Sequence, residues 1–215
     1  PRAATLAWIL LAMVGARSLA MAINRLVDAR IDALNPRTAT REIPAGAVTR
    51  SQVVGFSAVS LAALLVAVSQ LPEITWILWP IPVAAFVIYP FTKRFTWACH
   101  FFLGFTIGLA PVGAWMAVTG SLAWAPVFLG LAVAVWIAGF DIIYALLDVE
   151  FDRAHGVHSV PARFGRARAL WFTRIAHLMA VALLVLAGVA SGVGIIYFLG
   201  VTACAAVLLY ENAIV

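Results

Sequence analysis

Asn24-Arg25-Leu26-Val27-Asp28-Ala29-Arg30-Ile31-Asp32 closes one apolar run of this chain, and Tyr144-Ala145-Leu146-Leu147-Asp148-Val149-Glu150-Phe151-Asp152 closes another. Each stretch sets polar groups at i, i+4 and i+8, which on an α-helix lie on one face. Asp28, Asp32, Asp148 and Asp152 are four of only 9 acidic residues in 215. Carboxylates beside a membrane are costly and mark function. Two facing pairs of them suit Mg²⁺ held against a diphosphate.

The surrounding composition fixes the class. The chain is 65% hydrophobic and 11% charged, with a mean hydropathy of +1.05; a soluble domain carries roughly 25% charged residues. This is a membrane protein. Its net charge of +5 does not point to nucleic acid, because the basic residues sit in connections between apolar runs, where orientation and phosphate binding account for them. Cys99 and Cys204 lie in different apolar runs without metal-ligand spacing and read as small core residues with no disulfide. No signal-peptide cleavage pattern comes after Arg2.

Seven runs approach the ~20 residues needed to cross a bilayer: Ala3–Ile23, Val53–Leu71, Ile74–Tyr89, Ala98–Thr119, Leu122–Leu147, Ala169–Ala190 and Val193–Tyr210. The third holds Pro80 and Pro82, which predict a kink. Three connections are polar and basic: Arg25–Ser51, Pro90–Trp97 and Asp148–Arg168. The others, at Pro72–Glu73, Gly120–Ser121 and Ser191–Gly192, are tiny and carry no Lys or Arg. Alternation of seven helices puts the basic connections and both acidic stripes on one side, which the positive-inside rule makes cytoplasmic. Each stripe also leads into a basic loop containing Pro, Arg41–Gly46 or His158–Arg163, a faint internal repeat expected to bring two half-sites to one cavity.

This layout yields the candidate site residues. Asn24, Asp28 and Asp32 offer oxygen ligands to a hard cation, as do Asp148 and Asp152. Arg37 and Arg41, four apart, suit bidentate phosphate binding, and Arg153, His158 and Ser159 are further donors. Lys93 is either a membrane anchor or a cation over the diphosphate, with Tyr89 near it; Tyr144 belongs to the second stripe. Asp141, seven residues before Asp148, lies inside an apolar helix and needs a partner or a wet cavity. Arg17 either pairs with Asp28 or Asp141 or reaches toward the interface. Gly104-x-x-x-Gly108 marks close helix packing. His100 and His177 read as interfacial or packed residues without chemistry. The bland alternative for each stripe is a helix end with ordinary surface charges; two on one side make it far less plausible.

Taken together, Asn24-x-x-x-Asp28-x-x-x-Asp32, Asn35-Pro36-Arg37-Thr38-x-x-Arg41-Glu42-Ile43-Pro44-Ala45-Gly46, Tyr89-Pro90-x-x-Lys93-Arg94, Asp141-Ile142-Ile143-Tyr144-x-x-x-Asp148-Val149-Glu150-Phe151-Asp152-Arg153 and the tail His155–Gly165 resemble the UbiA superfamily of intramembrane prenyltransferases, in its 4-hydroxybenzoate polyprenyltransferase-like branch. The resemblance covers essentially the whole chain. It implies an all-α membrane protein, a transmembrane bundle around a central cavity open to the cytoplasmic side, built as a single domain over residues 1–215. Seven helices are visible against the family's typical nine, as if the first and last were lacking. Arg25 stands where many members have Asp.

The resemblance further implies Mg²⁺-dependent transfer of a polyprenyl group from polyprenyl diphosphate to an aromatic acceptor such as 4-hydroxybenzoate, for ubiquinone or menaquinone, in the inner membrane of a prokaryote. Asp28, Asp148, Asp152 and Lys93 are the expected catalytic residues, and Asn24, Asp28, Asp32, Asp148 and Asp152 the metal ligands. Arg37, Arg41, Lys93, Tyr89, Tyr144, Arg153, His158 and Ser159 are the expected substrate contacts. The competing expectation is an ion-coupled carrier using Arg17 and Asp141.

Overall fold

A computed structural model describes residues 2–215, and the described residues form helices and no strands. In chain order they are α1 Ala3–Leu34, α2 Arg50–Ser69, α3 Glu73–Leu78, α4 Pro80–Thr92, α5 Cys99–Thr119, α6 Trp124–Ala145, a 3₁₀ turn Leu146–Asp148, α7 Val149–Ala154, α8 Val160–Phe164, α9 Arg166–Ser191 and α10 Ile195–Ile214. Among the described residues, 7 segments are long and apolar enough to cross a membrane, with α3–α4 counted as one segment and α6–α7 as another. The protein is a multi-pass integral membrane protein. Large apolar side chains such as Leu178 (72% exposed) and Ile196 (83%) lie open on these helices, a surface that lipid covers and water would not tolerate at this extent.

Local chemistry explains the breaks. Thr49 caps α2, its hydroxyl accepting from Gln52 N–H while the Gln52 side chain accepts from Thr49 N–H, a reciprocal capping box. The proline pair expected to disturb the third run does so: Pro80 and Pro82 have no N–H to give the preceding turn, and the helix is interrupted at Trp79. α1 departs from expectation. It does not stop at Ile23 but continues unbroken to Leu34, so the connection expected from Arg25 begins only after that, and Asn24, Asp28 and Asp32 are helical as their spacing predicts. Twenty-one apolar residues already rise about 30 Å, and the last three turns extend past that length.

The chain divides into two compact units. The first comprises the chain up to Phe91 together with Ala114–Ser121, and the second comprises Thr92–Gly113 and Leu122–Val215. In the first, α1 packs on α2 at Gly15, where a Cβ would sit 2.8 Å from Ser60 O and Leu64 N. Leu19, Ala22, Leu64 and Ala67 are buried beside that crossing. In the second, α5 meets α6 through Gly104 and Gly108, where a Cβ would collide with the carbonyl oxygens of Ala134 and Gly130. The close approach expected of this glycine pair is therefore real.

α6 is joined to α9 by Thr173 Oγ1, which donates to Gly139 O at 3.2 Å. A core of Ile142, Val160 and Ala169, each fully buried, holds α6, α8 and α9 together, with Phe101, Leu146, Phe164 and Phe172 packed around it. The Phe164 ring contacts Trp97 at 5.1 Å and Phe172 at 5.5 Å. Both cysteines correct the sequence reading: Cys204 is exposed and Cys99 half-buried. Each lies on a helix with extensive apolar exposure, so a small apolar side chain there needs no protein core.

Candidate active site

The first unit carries the stripe of α1 and the loop after it. Asn24 Nδ2 donates to Asp28 Oδ2 at 3.0 Å, and Asp28 is 1% exposed. One turn on, Asp32 is also buried, and its Oδ1 receives Arg41 Nη1 at 2.7 Å. The loop is wound tightly enough to bring Arg41 back. Thr38 and Ala39 donate backbone N–H groups to Asn35 O, Arg41 N–H donates to Thr38 O, and Thr38 Oγ1 donates to Asp32 O at 3.0 Å. Asn35 Oδ1 accepts from Arg37 N–H at 3.0 Å, the Asx geometry that Asn-Pro sequences favour. Arg25 pairs with Glu42 at 3.3 Å and so ties helix to loop.

The second unit carries Lys93 and the segment from Asp141 to Gly165. Here the sequence expectation needs correction. Tyr144, Asp148 and Asp152 do not lie on one continuous α-helical face, because residues 146–148 form a 3₁₀ turn and Asp148 occupies the N-cap position of α7. A 3₁₀ turn winds three residues per turn rather than 3.6, which rotates the residues beyond it relative to Tyr144. Tyr144 is 48% exposed while Asp152 is buried; the two point to different surroundings.

Ser159 was expected to face phosphate. Instead its buried hydroxyl donates to Asp152 Oδ2 at 2.8 Å while accepting from Ala162 N–H at 3.3 Å. A serine has one hydroxyl proton, and here the carboxylate takes it. Arg153 Nε donates to Ala162 O at 3.0 Å. His158 has an exposed side chain, and its backbone N–H donates to Lys93 O at 2.7 Å, which pins the cation-bearing segment to this loop. Tyr89 is half-buried in α4 of the first unit.

Of the two readings open for His100, interfacial or packed, the structure gives the packed one. His100 is 3% exposed, not interfacial; its Nδ1 lies 2.6 Å from Asp141 Oδ2 and its Nε2 accepts from Val160 N–H at 3.2 Å. A backbone N–H can only donate, so Nε2 presents its lone pair and the ring proton resides on Nδ1, donated to Asp141. The signal was available: a carboxylate inside an apolar helix demands a donor, and His100 opens the preceding helix. Asp141 thus has its partner in a histidine. Arg17, the other residue of the carrier alternative, is exposed on α1.

The donor set fits Mg²⁺ on chemical grounds. All ligand atoms expected in the two stripes are oxygens, which hard cations prefer. Asp32 Oδ2 is buried without a hydrogen-bond partner, a condition that costs free energy unless something of positive character completes it. Among the described residues, no three His, Cys, Asp or Glu side chains cluster as a ligand set. Mg²⁺ does not require one, since it commonly takes one or two carboxylates and completes its shell with water and substrate phosphates.

Comparison with known proteins agrees with this architecture. The UbiA prenyltransferase family matches residues 1–215. A 4-hydroxybenzoate octaprenyltransferase of Vibrio campbellii is 30% identical over 200 residues, covering 93% of this chain and 70% of that protein. A mitochondrial 4-hydroxybenzoate polyprenyltransferase of Arabidopsis thaliana is 34% identical over 188 residues, 87% of this chain and 46% of that one. The apo structure of a UbiA homolog from Aeropyrum pernix K1 superposes with a TM-score of 0.93 at 33% identity, covering 99% of this chain and 80% of that chain. A UbiA homolog from Archaeoglobus fulgidus bound to DMAPP and Mg²⁺ shares the fold, with a TM-score of 0.77 at 20% identity over 99% of this chain and 76% of that one.

Helical spans, acidic half-sites and relatives together define an integral membrane enzyme of the prenyltransferase class. The chain belongs to the UbiA prenyltransferase family. The carrier alternative falls with that assignment.

Proposed function

We propose that the protein transfers a polyprenyl group from polyprenyl diphosphate to an aromatic acceptor such as 4-hydroxybenzoate, with Mg²⁺, as a step toward ubiquinone or menaquinone. The observation that carries this reading is the buried acidic end of α1, where Asp28 and Asp32 lie one turn apart and Asp32 keeps one oxygen without a donor. Relatives named as 4-hydroxybenzoate prenyltransferases, and a homolog bound to a prenyl diphosphate with Mg²⁺, support it.

In this reading Asn24, Asp28, Asp32, Asp148 and Asp152 would hold Mg²⁺ ions, each ion taking one or two of the carboxylates. Mg²⁺, when bound, supplies charge neutralisation at the diphosphate. Arg37, Arg41, Lys93 and Arg153 supply the rest. As the allylic C–O bond lengthens, negative charge grows on the leaving diphosphate, and cations already in place stabilise that state more than the ground state. Asn24 and Ser159 hold Asp28 and Asp152 in position, so the acidic groups need little reorganisation. Apolar helix walls keep water from the allylic cation. The ring carbon ortho to the phenol oxygen then forms the new C–C bond and loses its proton. Tyr89, Tyr144 and His158 are the further substrate contacts of this scheme.

A reacting end at the cytoplasmic face of a prokaryotic inner membrane is part of this reading, and the basic connections, holding Arg25, Arg30, Arg37, Arg41, Arg50, Lys93, Arg94, Arg153, Arg163, Arg166 and Arg168, support it by the positive-inside rule. The test is direct. The purified protein is incubated with geranyl diphosphate and a panel of aromatic acids, and products are read by mass spectrometry. A prenylated 4-hydroxybenzoate formed only with Mg²⁺ is the expected result; no prenylated acid from any member of the panel would remove the reading.

A further inference from the structure

His100 stands outside every motif that suggested the reaction, yet it joins three separate pieces of the second unit. It belongs to α5, its Nδ1–H is held by Asp141 of α6 at 2.6 Å, and its Nε2 receives the N–H of Val160 at 3.2 Å. Val160 is the first residue of α8 and is fully buried. The residue just before it, Ser159, caps α8 and donates its hydroxyl proton to Asp152. Asp141, His100, Val160 N–H, Ser159 and Asp152 therefore form one line of buried or half-buried groups, each fixing the next.

The chemistry of each link has a fixed direction. Asp141 accepts, so the ring proton stays on Nδ1; the lone pair on Nε2 then faces the Val160 amide. Rotating Val160 away would leave both Nε2 and the amide unpaired in a buried place, which is costly. The peptide joining Ser159 to Val160 is planar, so holding the Val160 amide also limits where the Ser159 side chain can point. A hydroxyl held in that way sets the orientation of the Asp152 carboxylate. Outer partners of this kind commonly govern metal affinity through ligand orientation.

We propose that His100 is a positioning residue for Asp152: anchored by Asp141, it locks the Val160 amide, and through it Ser159, so that the Asp152 carboxylate is presented for Mg²⁺ with diphosphate. This rests on the reading of Asp152 as a metal ligand. His100 touches neither substrate nor metal in this scheme, and its effect is on how much Mg²⁺ the protein needs.

His100→Asn separates the links. The shorter amide keeps a donor where Nδ1 stood and so keeps Asp141 satisfied, but it cannot reach Val160. MgCl₂ is titrated at fixed geranyl diphosphate and the midpoint of thermal stabilisation is recorded, alongside hydrogen exchange at the Val160 amide. The expected result is a midpoint raised roughly 10- to 100-fold, with faster exchange at Val160. Ser159→Ala should raise the midpoint to a similar degree, and the double variant should be no worse than the poorer single one, as for residues acting in series.

An unchanged midpoint in His100→Asn, or midpoint shifts that multiply in the double variant, would overturn the proposal. Asp152→Asn tests the reading beneath it: a midpoint unmoved there removes Asp152 from the metal and the proposal with it. A midpoint raised in Asp152→Asn but not in His100→Asn leaves the metal reading standing and overturns only the role of His100.

Discussion

Arg41 donates from Nη1 to Asp32 Oδ1 at 2.7 Å, so a cation carried by the loop after α1 is already seated on an acidic residue of that helix. The Asp32 side chain is 6% exposed and that of Arg41 29%. The loop therefore folds back onto its own helix, and the bond is part of what shapes it.

Arg41→Ala leaves a buried carboxylate without its cation. The expected cost is about 1–3 kcal/mol, at the lower end because the guanidinium is partly solvated. The apparent melting temperature in detergent should fall by several degrees. Adding Asp32→Asn should recover part of that loss, because the orphaned charge is then removed. Thermal denaturation of the two variants checks both statements.

Asp148→Ala is expected to lower turnover by two or more orders of magnitude while membrane insertion and melting temperature stay close to those of the parent. Asp148 is half-exposed at the head of α7. Truncation removes little packing. Product formation measured beside a melting curve separates lost chemistry from lost fold; near-parental turnover would take Asp148 out of the proposed metal site.

Chelation supplies a third test. Excess EDTA should abolish prenyl transfer, and added Mg²⁺ should restore it, because oxygen-only ligands leave the diphosphate charge unneutralised without a hard cation. Undiminished product in EDTA would count against the whole scheme.

Gly104→Leu should prevent folding of the second unit, or cost at least about 1–3 kcal/mol through enforced separation of α5 from α6, because even a Cβ at this position meets the Ala134 carbonyl. Gly113→Ala, on the same helix, should be nearly silent: nothing lies within 4 Å of a Cβ there. Yield of folded protein by size-exclusion chromatography distinguishes the two.

Much of the architecture is legible in the residues alone. The seven spans come from run length, and the proline pair marks the interruption at Trp79. The first stripe is readable because α1 is regular through Asp32, so counting by fours keeps to one face. The second stripe misleads for the opposite reason: the 3₁₀ turn at Leu146–Asp148 changes the winding, and apolar residues at Leu146 and Leu147 give no sign of it. That Asp141 needs a donor is legible, but that His100 supplies it is not, because the partners of His100 are 41 and 60 residues away, a distance at which spacing carries no information. Ser159 and Arg41 are readable as polar donors near the acids but not as donors already committed to them; that depends on how each loop folds back.

The uninterrupted course of α1 has a consequence for how this protein tolerates change. Because no hinge separates the Gly15 crossing from Asn24, Asp28 and Asp32, inserting or deleting one residue between that crossing and Asn24 would swing all three by about 100° and shift them about 1.5 Å relative to α2. Leu19, Ala22 and the Gly15 crossing act as the keyway that sets the angular phase of the acids. Length variation among natural versions of this chain should accordingly collect in the loop before Thr49, and α1 should keep its count.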